Sequence, residues 1–423
     1  MITAVVIGCG DRATVYVEEA YKLGDFRVIA AVDPDPERRK LYHERFGVEE
    51  SGLYSDMSQV LAQGKIADCV INGTMDDLHL STSIPFLEQG YDMLLEKPIA
   101  ANERDLLQIR DAAKKSGSKL MICHVLRYAP FYRKAKELIL NGEIGEIMHM
   151  ETTERVGIYH SSTSYIRGKW NNEEICGSGM LLAKCCHDLD LLAWFNNQTK
   201  PIAISSFGGR NFLIEEKAPV GSGTRCMVDC PEEVRKKCNL DAERLYLHFD
   251  EYPWYPWQCT GKNYQDVTPE EKRESLLTYN PHGACAYKTN ANIVDHQTLI
   301  VQFANGSTAS HSMISISEQA SRKLYIKGTL GEIEGGAGGK LYLRKFNKET
   351  GVSDLKEIPL TDTSDDNRGH FGGDARLLKD FISLMRGEEP SVSCTSIEDS
   401  IIGHLMVFKA EESRKTGKIV YFN

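Results

Sequence analysis

Several features are missing from this sequence of 423 residues, and each absence narrows what the protein can be. No apolar run is long enough to cross a bilayer, so no membrane-spanning helix is expected. An excess of basic residues is also missing, because 50 Lys and Arg stand against 60 Asp and Glu, a formal net charge of −10 at pH 7. This balance gives no electrostatic reason to bind nucleic acid or an anionic membrane surface. Internal repeats and low-complexity tracts are absent as well.

A leader segment is not expected, because the first residues already form an apolar, strand-like run. Without an export signal the twelve cysteines are expected to be reduced, and the expected location is the cytoplasm. Cys9, Cys69 and Cys123 lie in or beside strand-like runs and are expected to behave as small core residues. A chain of this length is too long for one compact core, so two domains are expected.

The segment from residue 2 to residue 33 carries the strongest local pattern. A strand, Ala4–Ile7, ends in Gly8-Cys9-Gly10-Asp11-Arg12-Ala13, a helix follows, and the next apolar strand ends at Asp33. Glycines there let the backbone approach a pyrophosphate at the helix N-terminus, and Ala13 occupies a position that needs a small residue. A carboxylate at the tip of the second strand accepts hydrogen bonds from a ribose diol. The pattern predicts dinucleotide binding through Gly8, Gly10, Asp11, Arg12, Ala13 and Asp33, and the alternative is an ordinary strand-to-helix turn.

Strands and helices alternate up to about residue 124, and strands without intervening helices dominate afterwards. The first part predicts a doubly wound parallel sheet, a Rossmann NAD(P)-binding domain over residues 1–124. The second part predicts a C-terminal α+β domain over residues 125–423 with a large open, mainly antiparallel sheet. The fold class is therefore α/β, and the least periodic region is an insertion at about residues 220–290.

Two chain turns place polar residues at the carboxyl ends of predicted strands. Glu96-Lys97-Pro98 follows one such strand, where a lysine can donate to a substrate hydroxyl and add positive charge beside a nicotinamide. A surface lysine in a turn is the alternative. Arg127-Tyr128 follows the last strand of the first sheet, and it either reaches a ligand or forms a structural hinge.

The predicted helix over residues 180–196 supplies the second group of reactive side chains. Lys184 and His187 are three residues apart and share a helix face, with Asp188 and Asp190 on or beside it. Removing a hydride from a carbinol carbon requires that the hydroxyl proton leave too, and histidine suits this transfer. A histidine satisfied within the core is the alternative.

The insertion carries clustered cysteines, Cys226-x3-Cys230-x7-Cys238, followed later by Cys259 and Cys285. Clustered thiols in a reduced compartment fit a structural zinc site with four ligands. The spacing matches no standard zinc finger, so free cysteines and no metal remain the alternative. The zinc candidates are Cys226, Cys230, Cys238 and Cys285.

Together these motifs resemble the Gfo/Idh/MocA family of NAD(P)-dependent oxidoreductases. The resemblance covers most of the chain and is carried by the N-terminal fingerprint, Thr74…His79, Glu96-Lys97-Pro98-Ile99-Ala100, Arg127-Tyr128-Ala129-Pro130, Gly142-Glu143-Ile144-Gly145-Glu146-Ile147, Gly177-Ser178-Gly179…His187-x-x-Asp190 and Gly328-Thr329-x-Gly331. It implies hydride transfer between a nicotinamide and a sugar or polyol carbon, and a homodimer or homotetramer formed through the open sheet. For single residues it implies a cis Lys97–Pro98 bond, substrate binding by Lys97, an acid–base role for His187, and cofactor contacts from Thr74, Met75, His79, Glu96 and Lys97.

One position departs from the family pattern. An aspartate usually stands four residues before the histidine, and here that residue is Ala183. Lys184 is one candidate replacement, because it can lower the pKa of the histidine or bind a substrate oxygen. Asp295 and His296 are candidates to replace the acid in space. The predicted substrate-binding set is Lys97, Arg127, Tyr128, Lys184, His187, Asp188, Asp295 and His296.

The predicted function is a cytoplasmic dehydrogenase or reductase that acts on a sugar, polyol or glycoside. NAD is favoured over NADP because Asp33 would repel a 2′-phosphate, although Arg38 and Arg39 soften that preference. Two alternatives remain open: a redox-neutral glycosidase or lyase that oxidises a sugar transiently, and a dinucleotide-binding sensor without catalysis.

Overall fold

The computed structural model describes residues 1–249, 255–360 and 368–422, and two sheets organise them. The first sheet has six parallel strands in the order β3-β2-β1-β4-β5-β6. They are β1 (Ile2–Ile7), β2 (Phe26–Val32), β3 (Leu53–Tyr54), β4 (Cys69–Asn72), β5 (Asp92–Leu95) and β6 (Leu120–Ile122). The helices between them are α1 (Asp11–Lys22), α2 (Pro36–Phe46), α3 (Ser58–Leu61), α4 (His79–Glu88) and α5 (Glu103–Ser116).

Local sequence explains these elements. The strands are continuous runs of apolar residues because helices cover both faces of the sheet. Asp35 accepts from the backbone N–H of Glu37 at the start of α2, and Asn102 accepts from that of Asp105 at the start of α5. Strand order reverses between β1 and β4, and the carboxyl ends of the strands open there into a crevice, the usual ligand site of such sheets.

The second sheet has nine strands in the order β14-β13-β12-β11-β7-β10-β9-β8-β15, antiparallel except for the parallel pair β7 and β10. Its strands are β7 (Ile147–Gly157), β8 (Pro201–Gly209), β9 (His296–Phe303), β10 (Thr308–Ser317), β11 (Ser321–Gly328), β12 (Glu332–Gly336), β13 (Leu341–Phe346), β14 (Ser353–Ile358) and β15 (Val420–Tyr421). The helices of this part are α6 (Pro130–Leu140), α7 (Ile158–His160), α8 (Glu173–Cys176), α9 (Met180–Phe195), α10 (Glu232–Arg235), α11 (Pro269–Leu277), α12 (Arg368–Arg386) and α13 (Ile397–Thr416). The predicted fold class is confirmed.

Three helices tie the two sheets together. Helix α9 is buried almost all round because it lies against the inner face of the second sheet and beneath α13. Helix α12 returns to the first sheet, where Leu377, Leu378 and Phe381 join the core formed by β1 and α1. The core beside the first sheet is therefore completed by α12, which comes from the last part of the chain.

The insertion between β8 and β9 has only short helices and a small core of its own around Trp257, Tyr246 and Leu240. Strand β12 was not predicted, because Gly335 and Gly336 suggest a turn. Those glycines are strand residues that allow close backbone contact, since a Cβ on Gly336 would lie 2.5 Å from the carbonyl oxygen of Arg322. Among the described residues, no helix combines the length and the apolar character needed to span a membrane.

Candidate active site

A cleft of about 380 Å³ lies between the carboxyl ends of the first sheet and helix α9. It brings together most residues that the sequence predicts for the site. Those lining it are Gly8, Gly10, Asp11, Arg12, Asp33, Thr74, Met75, Glu96, Lys97, Lys184 and His187.

The glycine turn forms one wall of the cleft. Gly8 has φ +74°, and a Cβ there would lie 2.7 Å from the backbone of Gly73, so no other residue fits without displacement. Gly10 precedes α1, and a Cβ on it would meet only Arg38 at 3.9 Å, so the space above its backbone is open. Ala13 is fully buried against Gly73, in keeping with its predicted packing role. This cradle, which any side chain at residue 10 would fill, fits a pyrophosphate on the N-terminus of α1.

Asp33 lies at the tip of β2, with its carboxylate held by the backbone. Its two oxygens accept from the N–H groups of Cys9 and Asp35, each at 2.9 Å. Every carboxylate oxygen has a second lone pair, so a ribose hydroxyl can still donate to it. Arg38 is half-exposed with Nη1 3.6 Å from the carboxylate, whereas Arg39 donates to the backbone carbonyl of Asp33.

Lys97 and His187 face the same cleft from opposite walls. Lys97 Nζ donates to the carbonyl oxygen of Ala183 at 3.0 Å, which anchors the lysine to α9 at the position where the family has an aspartate. The Lys97–Pro98 bond is cis, as the resemblance implies. Burial lowers the pKa of Lys97, but Cys186, Glu96 and Asp76 together raise it above its usual value.

His187 is buried, and its Nδ1 has no hydrogen-bond partner among the described residues. Burial first, and then the positive charge of Lys97, hold the pKa of His187 well below its usual value. At neutral pH the site therefore pairs a protonated lysine with a neutral imidazole, which can accept a proton.

A second histidine in the cleft escaped the sequence analysis. The His370 ring lies 6.0 Å from that of His187, and its Nδ1 is 3.4 Å from Asp374 Oδ2. Asp374 also binds Arg12 at 2.5 Å, and Arg12 in turn binds Glu96 at 3.0 Å. Burial alone would raise the pKa of Asp374. Arg12 and His370 outweigh that effect and lower this pKa to about 2. An ionised carboxylate only accepts, so Nδ1 carries the proton and His370 Nε2 is an acceptor.

The signal for His370 in the sequence was weak, because the residue lies in a segment of the predicted second domain that has no clear periodicity. Its backbone has φ +52°, a left-handed conformation that is uncommon outside glycine and that clusters at functional sites. Other cleft residues that the sequence analysis did not select come from the segment after β7, from β11 and from the insertion. They are His160, Ser164, Tyr165, Lys169, Trp170, Tyr255, Gln258 and Arg322.

Three predicted ligand contacts are corrected by the structure. His79 is fully buried, and its ring nitrogens bond the carbonyls of Pro98 and Thr74, so it fixes two cleft loops rather than facing a cofactor. Arg127 lies outside the cleft in a buried ion pair with Asp190 (2.5 Å). Tyr128 is buried in the core beside α12. The hinge alternative for Arg127-Tyr128 is the better description.

Of the residues proposed to replace the missing aspartate, Asp295 and His296 lie elsewhere and Lys184 lies in the cleft. Asp295 accepts from the backbone N–H groups of residues 211–213 and contacts His296, at the end of the insertion and outside the cleft. Asp188 is buried beneath the cleft and pairs with Arg322 at 3.2 Å. Lys184 does line the cleft, where it lies 3.4 Å from Glu154. Burial lowers the pKa of Lys184, and Glu154 opposes that shift.

Two cysteine groups lie outside the cleft. Cys185, Asp188 and His311 place donor atoms within 4.8 Å of one another. All three residues are buried, and Asp188 is paired with Arg322 at 3.2 Å. The four zinc candidates lie around a separate cavity in the insertion.

Comparison with known proteins agrees with this geometry. Residues 2–124 match the family described as "Oxidoreductase family, NAD-binding Rossmann fold", and residues 132–220 match the "GFO/IDH/MocA C-terminal domain". The chain is 25% identical to the putative oxidoreductase YteT of Bacillus subtilis over 86% of this chain and 83% of that protein. It is 24% identical to 1,5-anhydro-D-fructose reductase of Ensifer adhaerens over 48% of this chain and 60% of that protein.

Solved structures share the whole fold at low identity. A levoglucosan dehydrogenase in complex with NADH and levoglucosan superposes with a TM-score of 0.71 at 16% identity, over 99% of both chains. An oxidoreductase from Agrobacterium radiobacter in complex with NAD+, L-tartaric acid and magnesium gives 0.68 at 16% identity, over 99% of this chain and 98% of that one. Because the family models match both its N-terminal NAD-binding Rossmann unit and residues 132–220 of its C-terminal part, this chain belongs to the Gfo/Idh/MocA family of NAD(P)-dependent oxidoreductases.

Proposed function

We propose that this protein is an NAD-dependent dehydrogenase that interconverts a hydroxyl and a carbonyl on a sugar or polyol. The observation that carries the proposal is the single cleft that joins the glycine turn and Asp33 to Lys97 and His187. The names of similar proteins, levoglucosan dehydrogenase and 1,5-anhydro-D-fructose reductase among them, support a carbohydrate substrate.

The chain's own residues would hold the dinucleotide along the first wall. Gly8 and Gly10 would receive the pyrophosphate and Asp33 the adenosine ribose. Bound NAD+ supplies the hydride acceptor. The preference for NAD rests on Asp33, whose carboxylate lines the cleft where a 2′-phosphate would bring like charge.

The reacting hydroxyl is held by two groups. Lys97, protonated at neutral pH, donates to the substrate oxygen and stabilises the negative charge that develops there. His187, neutral at the same pH, accepts the hydroxyl proton during oxidation and returns it during reduction. The ring of His370, oriented by Asp374, lies 6.0 Å from that of His187 and would restrict it in place of the aspartate that the family has at Ala183.

We further propose that two or four copies associate through the open face of the second sheet. Phe207, Ile300 and Ile314 lie on this face and are 71%, 56% and 42% exposed. Exposed apolar groups that share one sheet face are typical of a contact surface.

The test is steady-state turnover of a panel of sugars, inositols and glycosides, followed by NADH absorbance. Lys97→Met and His187→Gln should each lower kcat/KM for the best substrate by about 10²- to 10⁴-fold, the usual contribution of a positioned proton-transfer group. Lys22→Met, which changes an exposed lysine on α1, is the matched control and should retain full activity.

Two outcomes would contradict the proposal. One is full activity in Lys97→Met and His187→Gln variants that melt at the wild-type temperature. The other is turnover that forms no NADH and needs no added NAD, which would indicate redox-neutral chemistry.

A further inference from the structure

Four cysteines of the insertion line one small cavity away from the active-site cleft. They are Cys226, Cys230, Cys238 and Cys285, and none forms a disulfide. The cavity volume is about 10 Å³, close to the space of one water molecule. A space of this size walled by thiols suits a single thiophilic ion and is too small for a cluster of several metal atoms.

Backbone hydrogen bonds bring the two distant segments together. Cys226 N–H donates to the Gly283 carbonyl at 3.0 Å, and Cys285 N–H donates to the Thr224 carbonyl at 2.8 Å. These bonds bring the backbones of Cys226 and Cys285 close together although the two residues are distant in the sequence. The chain thus positions the thiols through its own backbone.

The buried guanidinium of Arg167 lies at the edge of the cysteine cavity. Arg167 is fully buried, donates to Cys226 Sγ at 3.6 Å and donates to the carbonyls of Leu240 and Ala284 at 2.7 Å. In the described part of the chain no carboxylate lies within 4.0 Å of this guanidinium. Four thiolates on a divalent ion carry a net negative charge, and a cation donating to one sulfur compensates it, as outer-shell groups do in metal sites.

The sulfur atoms lie further apart than they would around an ion. No three of them lie within 4.8 Å of one another, whereas ligands about 2.3 Å from zinc are about 4 Å apart. Ion binding must therefore draw the thiols inward, which the partly exposed side chains of Cys230 and Cys238 can do by rotation.

We propose that Cys226, Cys230, Cys238 and Cys285 bind one structural zinc ion that fixes the base of the insertion. The insertion has a small apolar core for its length, and a metal commonly supplies the missing stability in such segments. Arg167 follows directly on the segment that carries His160 and Tyr165 into the active-site cleft. The ion would therefore stabilise one wall of that cleft from outside it.

The experiment is metal analysis by mass spectrometry of the purified full-length chain. The wild type should contain about one zinc ion per chain, and the Cys226→Ser and Cys285→Ser variants should lose it. Cys259→Ser is the matched control, because Cys259 is an exposed cysteine of the same insertion outside the cavity. It should keep the zinc.

A second measurement covers the case in which the Cys226→Ser and Cys285→Ser variants do not fold. Native wild-type protein treated with an organomercurial should release one equivalent of zinc to a chromogenic chelator, and Cys259→Ser should release the same amount. Wild-type protein that contains no metal, iron with acid-labile sulfide in place of zinc, or zinc retained in both Cys226→Ser and Cys285→Ser would each overturn the proposal.

Discussion

At the scale of single residues, the site depends on a charged lysine placed beside a neutral histidine. Lys97 keeps its proton because Cys186, Glu96 and Asp76 outweigh the effect of burial on its pKa. His187 gives up its proton because burial and the charge of Lys97 both lower its pKa. The protonation states that oxidation requires therefore coexist at neutral pH.

The pH dependence follows from the direction of the His187 shift. Oxidation needs the neutral imidazole, which is present above the pKa of His187 in the folded protein and lost below it. Because that pKa lies well below the usual value of about 6.5, kcat/KM should stay level as the pH falls through 6.5 and decline only at lower pH. In Lys97→Met the residual activity should decline nearer 6.5, because a repelling positive charge is gone. A decline centred near 6.5 in the wild type would contradict this account.

A variant of His370 tests the same pH profile of kcat/KM in a second way. His370→Gln removes the ring beside His187 and should lower kcat by about tenfold or more, as loss of an orienting partner does, while KM changes little. It should also shift the acid limb of the profile, which a merely structural loss would leave in place. His149→Gln is the control, because His149 lies near the start of β7 and outside the cleft, and it should reproduce the wild-type profile. An unchanged kcat in His370→Gln would rule out the positioning role.

At the scale of elements, the turn from β2 into α2 sets cofactor preference with two residues of opposite charge. Asp33 lies at the end of the strand, and Arg38 reaches back from the helix to within 3.6 Å of it. The carboxylate is buried and hydrogen-bonded, whereas the guanidinium is half-exposed and screened by solvent. We therefore expect Asp33 to dominate.

Steady-state kinetics with both cofactors test this expectation. The wild type should prefer NAD, and Asp33→Ser should shift the ratio of kcat/KM values toward NADP by about tenfold or more, a change of about 1.4 kcal/mol. Arg38→Ala should shift the ratio the other way, because the group that could pair with a 2′-phosphate is lost. A clear NADP preference in the wild type would overturn the assignment.

Helix and strand positions were predicted well where the pattern was strong. Helix α9 begins at the predicted residue, Met180, and ends one residue before the predicted end. The insertion gave little pattern, because its short helices pack on one another through scattered residues such as Trp257. Asp295 and His296 were predicted in the site because their residue types suit it, yet the chain path places them at the far end of the insertion.

At the scale of the whole molecule, the second sheet covers α9 with one face and leaves the other open. Leu299 and Val301 pack inward, and Ile300 between them points outward. Period-two alternation thus produces an apolar core and an exposed apolar group on the same strand. The open face is the proposed contact between copies.

Light scattering coupled to size-exclusion chromatography tests this contact. The wild type should run as a dimer or tetramer, and the double variant Phe207→Asp with Ile300→Asp should run as a smaller species, because two buried charges would face each other across the contact. Val220→Asp changes a fully exposed residue of the insertion and should leave the mass unchanged. A monomeric wild type would contradict the proposal.

The sequence by itself determined the dinucleotide turn, the two kinds of sheet, and the placement of Lys97 and His187 on facing elements. These depend on local patterns: glycine spacing, apolar periodicity, and residue spacing along one helix. Only the tertiary structure decided that His370 enters the cleft with Asp374 beside it, that Arg127 lies outside the cleft in a pair with Asp190, and that Asp295 and His296 lie away from it. These depend on where remote segments return, which is set by packing across the whole molecule and leaves no trace in the spacing of nearby residues.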